Sequence, residues 1–292
     1  MHVPTGMRRV VAVVCATALA SSPVLLAPTN AGASSAPTSA PTSARAAMPH
    51  LKALLTKKTI VVKGANDLTA GRAKLSVAGK GTVELVTFKS GYDIADFTAD
   101  VNKFGAKNDI KALKRALKNT TIIGGLTGGG TGTIIFPKPG AYTPISLGNR
   151  GVVSGKTLVV DGPKRSAKAP KTDGSLLAKD GPSWGGASQL PAKGRFEFKN
   201  KADEPHFVVL QQVVEGTTTD TVLSYLQSGE QAPPPWGLQA GMETGTLSPG
   251  RSMTVDYDLP AGQYVLMCFF PDPDEGGTPH ALMGMLRMIH LT

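Results

Sequence analysis

Four side chains in this sequence could share one metal ion. His206 follows a strand-like run, Cys268 stands about sixty residues on, and His280 and Met285 follow it. Two imidazoles, a thiolate and a thioether suit a mononuclear copper centre. The nitrogen and thiolate donors hold both oxidation states, and a long axial thioether leaves the geometry nearly unchanged between them. Four residues separate His280 from Met285 (Ala281-Leu282-Met283-Gly284), so one tight loop can bring both to the ion. Eleven residues lie between Cys268 and His280 and include an acidic, Gly-rich stretch, Pro271 to Gly277 (PDPDEGG). A longer loop costs little closure entropy but leaves the imidazole less firmly placed. That stretch is expected to be flexible.

Each residue also has an ordinary reading. Cys268 could be a small buried apolar side chain, and His206 and His280 a hydrogen-bonded pair at the end of a sandwich. Together, four ligand types in this order favour a metal site. Met283 competes for the axial place but stands too close to His280. Met242, Met253, Met267 and Met288 are expected in the core or its rim, and His290 in a structural place on the last strand. Asp272, Asp274 and Glu275 lack the spacing of an EF-hand calcium loop.

Other chemistries find little support. No Gly-x-Ser-x-Gly elbow occurs, and the run Gly124 to Gly132 (GGLTGGGTG) lacks the Lys-Ser/Thr ending of a phosphate-binding loop, so a flexible loop is expected there. No His-x-His pair occurs, as a trinuclear copper cluster would require. The expectation is therefore a chain without enzymatic activity.

The elements that must position these residues are short strands joined by turns. The chain has 292 residues with 34 Gly and 22 Pro, and only 5% aromatics. Alternating runs at Gly71 to Val77 and Gly194 to Phe198 read as strands. So do Thr82 to Phe88, His206 to Val214, Thr133 to Phe136, Ser252 to Leu259 and Leu286 to Leu291. Asp109 to Lys118 and Thr219 to Gln227 read as helical insertions. The order of features occurs twice, which points to an internal repeat. Aligning Tyr142 with Tyr264 sets Ser146 opposite Cys268, and aligning Gly91 with Gly216 sets Gly81 opposite His206. The first copy therefore lacks the ligands.

The second segment resembles the cupredoxin family, through Asn200 to His206 (NKADEPH), Pro260 to Cys268 (PAGQYVLMC) and Pro279 to Met285 (PHALMGM). The resemblance implies an all-β fold of two tandem cupredoxin-like Greek-key β-sandwiches with short helical insertions. It implies a type 1 copper site in the second, with His206, Cys268 and His280 as equatorial ligands and Met285 as the axial one. It also implies one-electron transfer. The alternative is a metal-free binding or structural module of the cell envelope that keeps the fold.

The N-terminus reads as an export signal. Arg8 and Arg9 precede an apolar run from Val10 to Ala20 and a small-residue site at Ala31-Gly32-Ala33. Residues 1–33 are thus expected to be a signal peptide used by the Sec route or, given the Arg pair, the twin-arginine route. Its removal takes Cys15 and leaves Cys268 without a disulfide partner. Residues 34–50 are Ser-, Ala-, Pro- and Thr-rich and read as a disordered linker. The first sandwich is expected over 51–162, a linker over 163–175, and the copper-bearing sandwich over 176–292. No transmembrane segment is expected, and the chain is read as secreted or extracytoplasmic.

The net charge of +10 is unevenly spread. Residues 34–180 hold 23 Lys/Arg against 9 Asp/Glu, whereas residues 181–292 hold 6 against 12. Two solvated faces would explain this. So would attraction of the basic half to an anionic envelope surface or to an acidic redox partner. Nucleic acid is not expected, because no recognition motif is present. Sequence does not give the oligomeric state.

Overall fold

The computed structural model describes residues 47–148, 151–162, 164–165 and 167–292. The expected signal peptide and residues 34–46 of the expected linker lie outside them. No helix among the described residues is long and apolar enough to cross a membrane.

In the first half the strands are β1 (His50–Leu55), β2 (Ile60–Lys63), β3 (Gly71–Ala78) and β4 (Thr82–Phe88). Helices α1 (Ile94–Lys107) and α2 (Ile110–Asn119) follow. Then come β5 (Thr120–Thr127), β6 (Thr131–Phe136), β7 (Gly140–Gly148), β8 (Gly151–Ser154) and β9 (Leu158–Val160). The second half begins with β10 (Gly174–Lys179), β11 (Ser183–Gly186), β12 (Gln189–Leu190) and β13 (Lys193–Asn200). It continues with β14 (Val209–Val213), helix α3 (Thr219–Ser228), β15 (Gly237–Glu243), β16 (Ser252–Asp258) and β17 (Gly262–Met267). Short strands β18 (Pro271–Asp272) and β19 (Thr278–Pro279), a 3₁₀ turn at His280–Met283 and β20 (Leu286–Leu291) complete it.

Period-two alternation makes these strands two-faced. Ala73, Leu75 and Val77 of β3 are buried with Lys74 exposed between them, and Met253, Val255 and Tyr257 of β16 alternate likewise. The buried faces meet as two sandwiches. One sheet of five strands, β5-β4-β7-β8 with β9 beside β7, covers the first half; another, β12-β20-β17-β14-β15, covers the second. The opposite layers are not separate. They join in one eight-stranded sheet, β11-β10-β13-β16-β6-β3-β1-β2, through the antiparallel pair β6–β16 (Thr133 with Thr254, Thr131 with Asp256). The main apolar core draws residues from both halves, from Leu51 to Leu291, and includes Cys268 and Met285. In each half a buried tyrosine donates its hydroxyl four residues back: Tyr142 to the Lys138 carbonyl and Tyr264 to the Pro260 carbonyl, both at 2.8 Å.

The Gly-rich run is not a flexible loop. It forms the end of β5, a tight turn and the start of β6. A side chain at Gly125 would strike the Val83 carbonyl and Glu84, one at Gly128 the Gly79 carbonyl, and one at Gly132 the Thr254 carbonyl. Glycine here lets backbones approach closely within the first half and across to the second. The helical content also exceeds expectation, because α1 precedes the expected helix. Asp93 caps it through the amides of Ala95 and Asp96, and Asp96 reaches back to the Asp93 amide. That reciprocal cap satisfies amides that the helix start leaves unpaired.

Candidate metal centre

Each candidate ligand is placed by a different element. Cys268 directly follows β17, which is held between β14 and β20. His206 precedes β14, and its amide and carbonyl pair with Leu247 at 3.1 and 2.8 Å. His280 opens the 3₁₀ turn ahead of β20, and Met285 follows that turn. Three backbone bonds close that turn onto the cysteine: Ala281 N–H to the Cys268 carbonyl at 2.7 Å, His280 N–H to Phe270 at 3.0 Å, and Met285 N–H to His280 at 3.0 Å.

The long segment between Cys268 and His280 is a hairpin. Pro271 pairs with Pro279 and Asp272 with Thr278 across β18 and β19. Asp272 Oδ1 accepts the amides of Asp274 and Glu275 at 2.7 and 3.0 Å, and Gly276 and Gly277 take φ of 68° and 84°. The acidic residues and glycines that suggest flexibility are the residues a tight turn needs.

The donors converge. His206 Nδ1 lies 3.0 Å from His280 Nδ1, and Cys268 Sγ lies 3.7 Å from the same atom. Donors that ring one ion at bonds of about 2.0–2.3 Å stand roughly 3–4 Å apart, so the spacing fits. Cys268, His280 and Met285 are fully buried, and His206 is 1% exposed. Burial lowers the pKa of His206 to about 3, with His280 beside it adding to the effect, and burial lowers His280 as well. Both rings are thus neutral at neutral pH, with lone pairs available to a metal. Burial raises the Cys268 thiol to about 12 against the pull of the Phe207 and Phe270 amides. Without metal it stays protonated, so loading an ion must release that proton. Two imidazoles, a thiol and the buried thioether of Met285 form a type 1 copper-like site.

The structure also shows residues that sequence reading missed. Glu204 Oε2 lies 2.8 Å from His280 Nε2; with the ring proton on Nε2 this contact is a hydrogen bond and leaves the Nδ1 lone pair to the centre. This is the usual way a carboxylate orients a ligating imidazole. Burial, followed by the charges of Asp272 and Asp203, raises Glu204 to about 7. Asn200 Nδ2 donates to the Glu204 and Leu247 carbonyls at 2.6 and 2.8 Å and fixes the turn before His206. Trp184 Nε1 donates to the Met285 carbonyl at 3.2 Å. Asn200 and Glu204 fall inside the Asn200 to His206 segment already singled out; no local signal marks Trp184, which arrives from β11.

The rejected candidates are placed apart. Met283 is 37% exposed, Met253 and Met267 are buried core residues, and exposed His290 lies 3.3 Å from Glu215. In the first half, the Ser146 hydroxyl lies 3.7 Å from where a side chain on Gly81 would begin. These are the positions set opposite Cys268 and His206.

A thiol leaving a core strand, one imidazole ahead of a neighbouring strand, and an imidazole and thioether on the loop before the last strand decide the architecture. The fold is cupredoxin-like. No family model and no curated protein matches the chain. Among solved structures, reduced auracyanin from Roseiflexus castenholzii matches 40% of this chain and 94% of its own, at 18% identity and a TM-score of 0.26. A multicopper oxidase matches 83% of this chain and 88% of its own, at 11% identity and a TM-score of 0.23. The blue copper oxidase of Nitrosomonas europaea matches 83% and 85%, at 10% identity and a TM-score of 0.21. The expectation of a chain without enzymatic activity is set aside as a correction, because solved structures that match 83–85% of this chain carry the names multicopper oxidase and blue copper oxidase.

Proposed function

We propose that this protein binds one copper ion through His206, Cys268, His280 and Met285 and passes single electrons through it outside the cytoplasm. The observation that carries this reading is the convergence of His206 Nδ1, His280 Nδ1 and Cys268 Sγ in a pocket closed to water. Copper bound there would supply a one-electron couple. The residues of the chain do the rest. Burial keeps both imidazoles neutral, and Glu204 holds the His280 ring in its ligating tautomer. Trp184 holds the Met285 carbonyl, and the surrounding core excludes water. A donor set already gathered before loading needs little rearrangement when charge changes.

The export-signal pattern read over residues 1–33 supports an extracytoplasmic setting. The sandwich boundaries 51–162 and 176–292, the linker between them, and an acidic redox partner or anionic envelope surface for the basic first half belong to the same proposal.

The test is an absorption spectrum. Wild-type protein given Cu(II) should gain an intense visible thiolate-to-copper band, and Cys268→Ser should lose it. Full colour in the variant would overturn the assignment of the thiolate. Absence of copper uptake by wild type would favour a metal-free envelope module.

A further inference from the structure

The hairpin over 271–279 does not stand alone. Its tip rests on the corner between α1 and α2, in the half of the molecule that contributes no ligand. Asn108, which ends α1 with a left-handed φ of 52°, donates from Nδ2 to the Gly276 carbonyl at 3.2 Å. Gly277 is seated against the same corner. A side chain there would begin 3.1 Å from Asn108 Oδ1 and 3.2 Å from both Ile110 Cδ1 and Phe104 Cε2. Lys114 of α2 reaches Asp274 with Nζ 2.6 Å from Oδ1. These partners are 160 and 168 residues apart in sequence. His280 follows Gly277 by three residues.

We infer that the α1–α2 corner of the first half is a positioning element for the metal loop of the second. Asn108, the Gly277 seat and the Lys114–Asp274 pair hold the hairpin tip and, through it, the His280 ring. This rests on the copper reading above and extends it. A cysteine-to-histidine segment of eleven residues is too long to place an imidazole by its own closure. Here it is held at three levels. Asp272 closes the turn, the β18–β19 pairing aligns its arms, and the corner fixes the tip from outside. Each contact alone is weak. Lys114 and Asp274 are both exposed, so their attraction is strongly screened. Their common effect is geometric, since all three contacts act on the same four residues. The arrangement also gives the uneven charge a local use, with a basic helix meeting an acidic turn. Phe104, Asn108, Ile110 and Lys114 are not among the residues that form the donor group, so their role is positioning.

The test uses the full chain. Asn108→Gly combined with Lys114→Ala keeps the left-handed backbone and removes both polar contacts. Lys114→Arg is the conservative control. Hydrogen exchange of the metal-free protein should show faster exchange of the amides at 274–280 in the double variant, with strands β14, β17 and β20 unchanged. With copper added, release to a chelator should quicken by roughly tenfold, as when a partner of a ligating histidine is removed. The electron paramagnetic resonance signal of Cu(II) should change shape, and Lys114→Arg alone should leave all readouts as in wild type. Wild-type exchange at 274–280 in the double variant would overturn the inference. Copper release and resonance unchanged despite faster exchange would overturn the link to His280. Absence of copper uptake by wild type would sink the proposed function instead, and the exchange arm would still decide whether the corner holds the loop.

Discussion

At the residue scale, His206 and His280 set the acid limit of the metal-free protein. His206 has a folded pKa of about 3 against an ordinary value of 6.5. As pH falls through 6.5 the unfolded chain takes up a proton that the native chain refuses. The contribution to stability is complete above pH 6.5 and is lost as pH falls toward 3. His280 shifts in the same direction. Glu204, raised to about 7, acts oppositely: its contribution is present below pH 4.5 and fades as pH rises through 7. A variant separates them. Between pH 7 and 4 the unfolding free energy of metal-free wild type, read from denaturant titrations, should fall further than that of His206→Gln, by on the order of a few kcal/mol. Equal slopes would mean that the His206 ring is not desolvated as described. The candidate ligands were legible in sequence because metal donors are few in kind and their order along the chain is constrained. Glu204 was not singled out, because a carboxylate that orients a ring looks like any surface acid until its partner is known.

At the element scale, the expected strands were readable to within about three residues. Thr82–Phe88 and Leu286–Leu291 have the bounds that their β-prone residues and flanking turns imply. The helical stretches expected over Asp109 to Lys118 and Thr219 to Gln227 coincide with α2 and α3, whose first turns are capped by Asp109 and Thr218. Two segments were misread for one reason: glycine has two uses. In Pro271 to Gly277 and in Gly124 to Gly132 it looked like a source of freedom. The structure uses it for φ values open to few other residues and for close backbone contact. The difference is tertiary, since the atoms that exclude a side chain at Gly125 belong to β4, and Gly245 of the second half donates its amide to the Gly125 carbonyl at 2.9 Å. Gly125→Ala should therefore destabilise the protein by about 2–3 kcal/mol through overpacking. Gly129→Ala, with open space around it but φ of 89°, should cost about 1 kcal/mol. Thermal melts of the two variants measure the difference, and equal losses would contradict the close approach at Gly125.

At the scale of the whole molecule, the two sandwiches share more than a linker. The β6–β16 pair makes one sheet of both, Glu84 of β4 accepts the Thr246 amide at 2.7 Å with its carboxyl buried, and Ser248 Oγ accepts the Ile122 amide at 2.8 Å. A fragment ending near Val160, or one beginning near Gly174, would leave an apolar strand with unpaired amides and carbonyls facing water. Either fragment should self-associate or precipitate, which sedimentation would detect, while the intact chain should not do so through this sheet. A monodisperse, stably folded fragment would show that the junction contributes little. Heating the intact chain should accordingly give one transition for both sandwiches.

The same junction bears on how the chain reaches its native state. Thr133 and Thr254 meet only after more than a hundred residues have been ordered between them. Contacts of such long sequence separation slow folding, because the entropy of closing the chain is lost before the contact can compensate for it. The first half, synthesised first, can collapse around Leu51 to Phe136 and then present β6 as a template. The second half completes its own layer only by docking there. Refolding should show a slow final phase in which Trp184 and Trp236 fluorescence changes after the first half has gained its secondary structure. During that interval the half-built sheet is the species most exposed to misassembly.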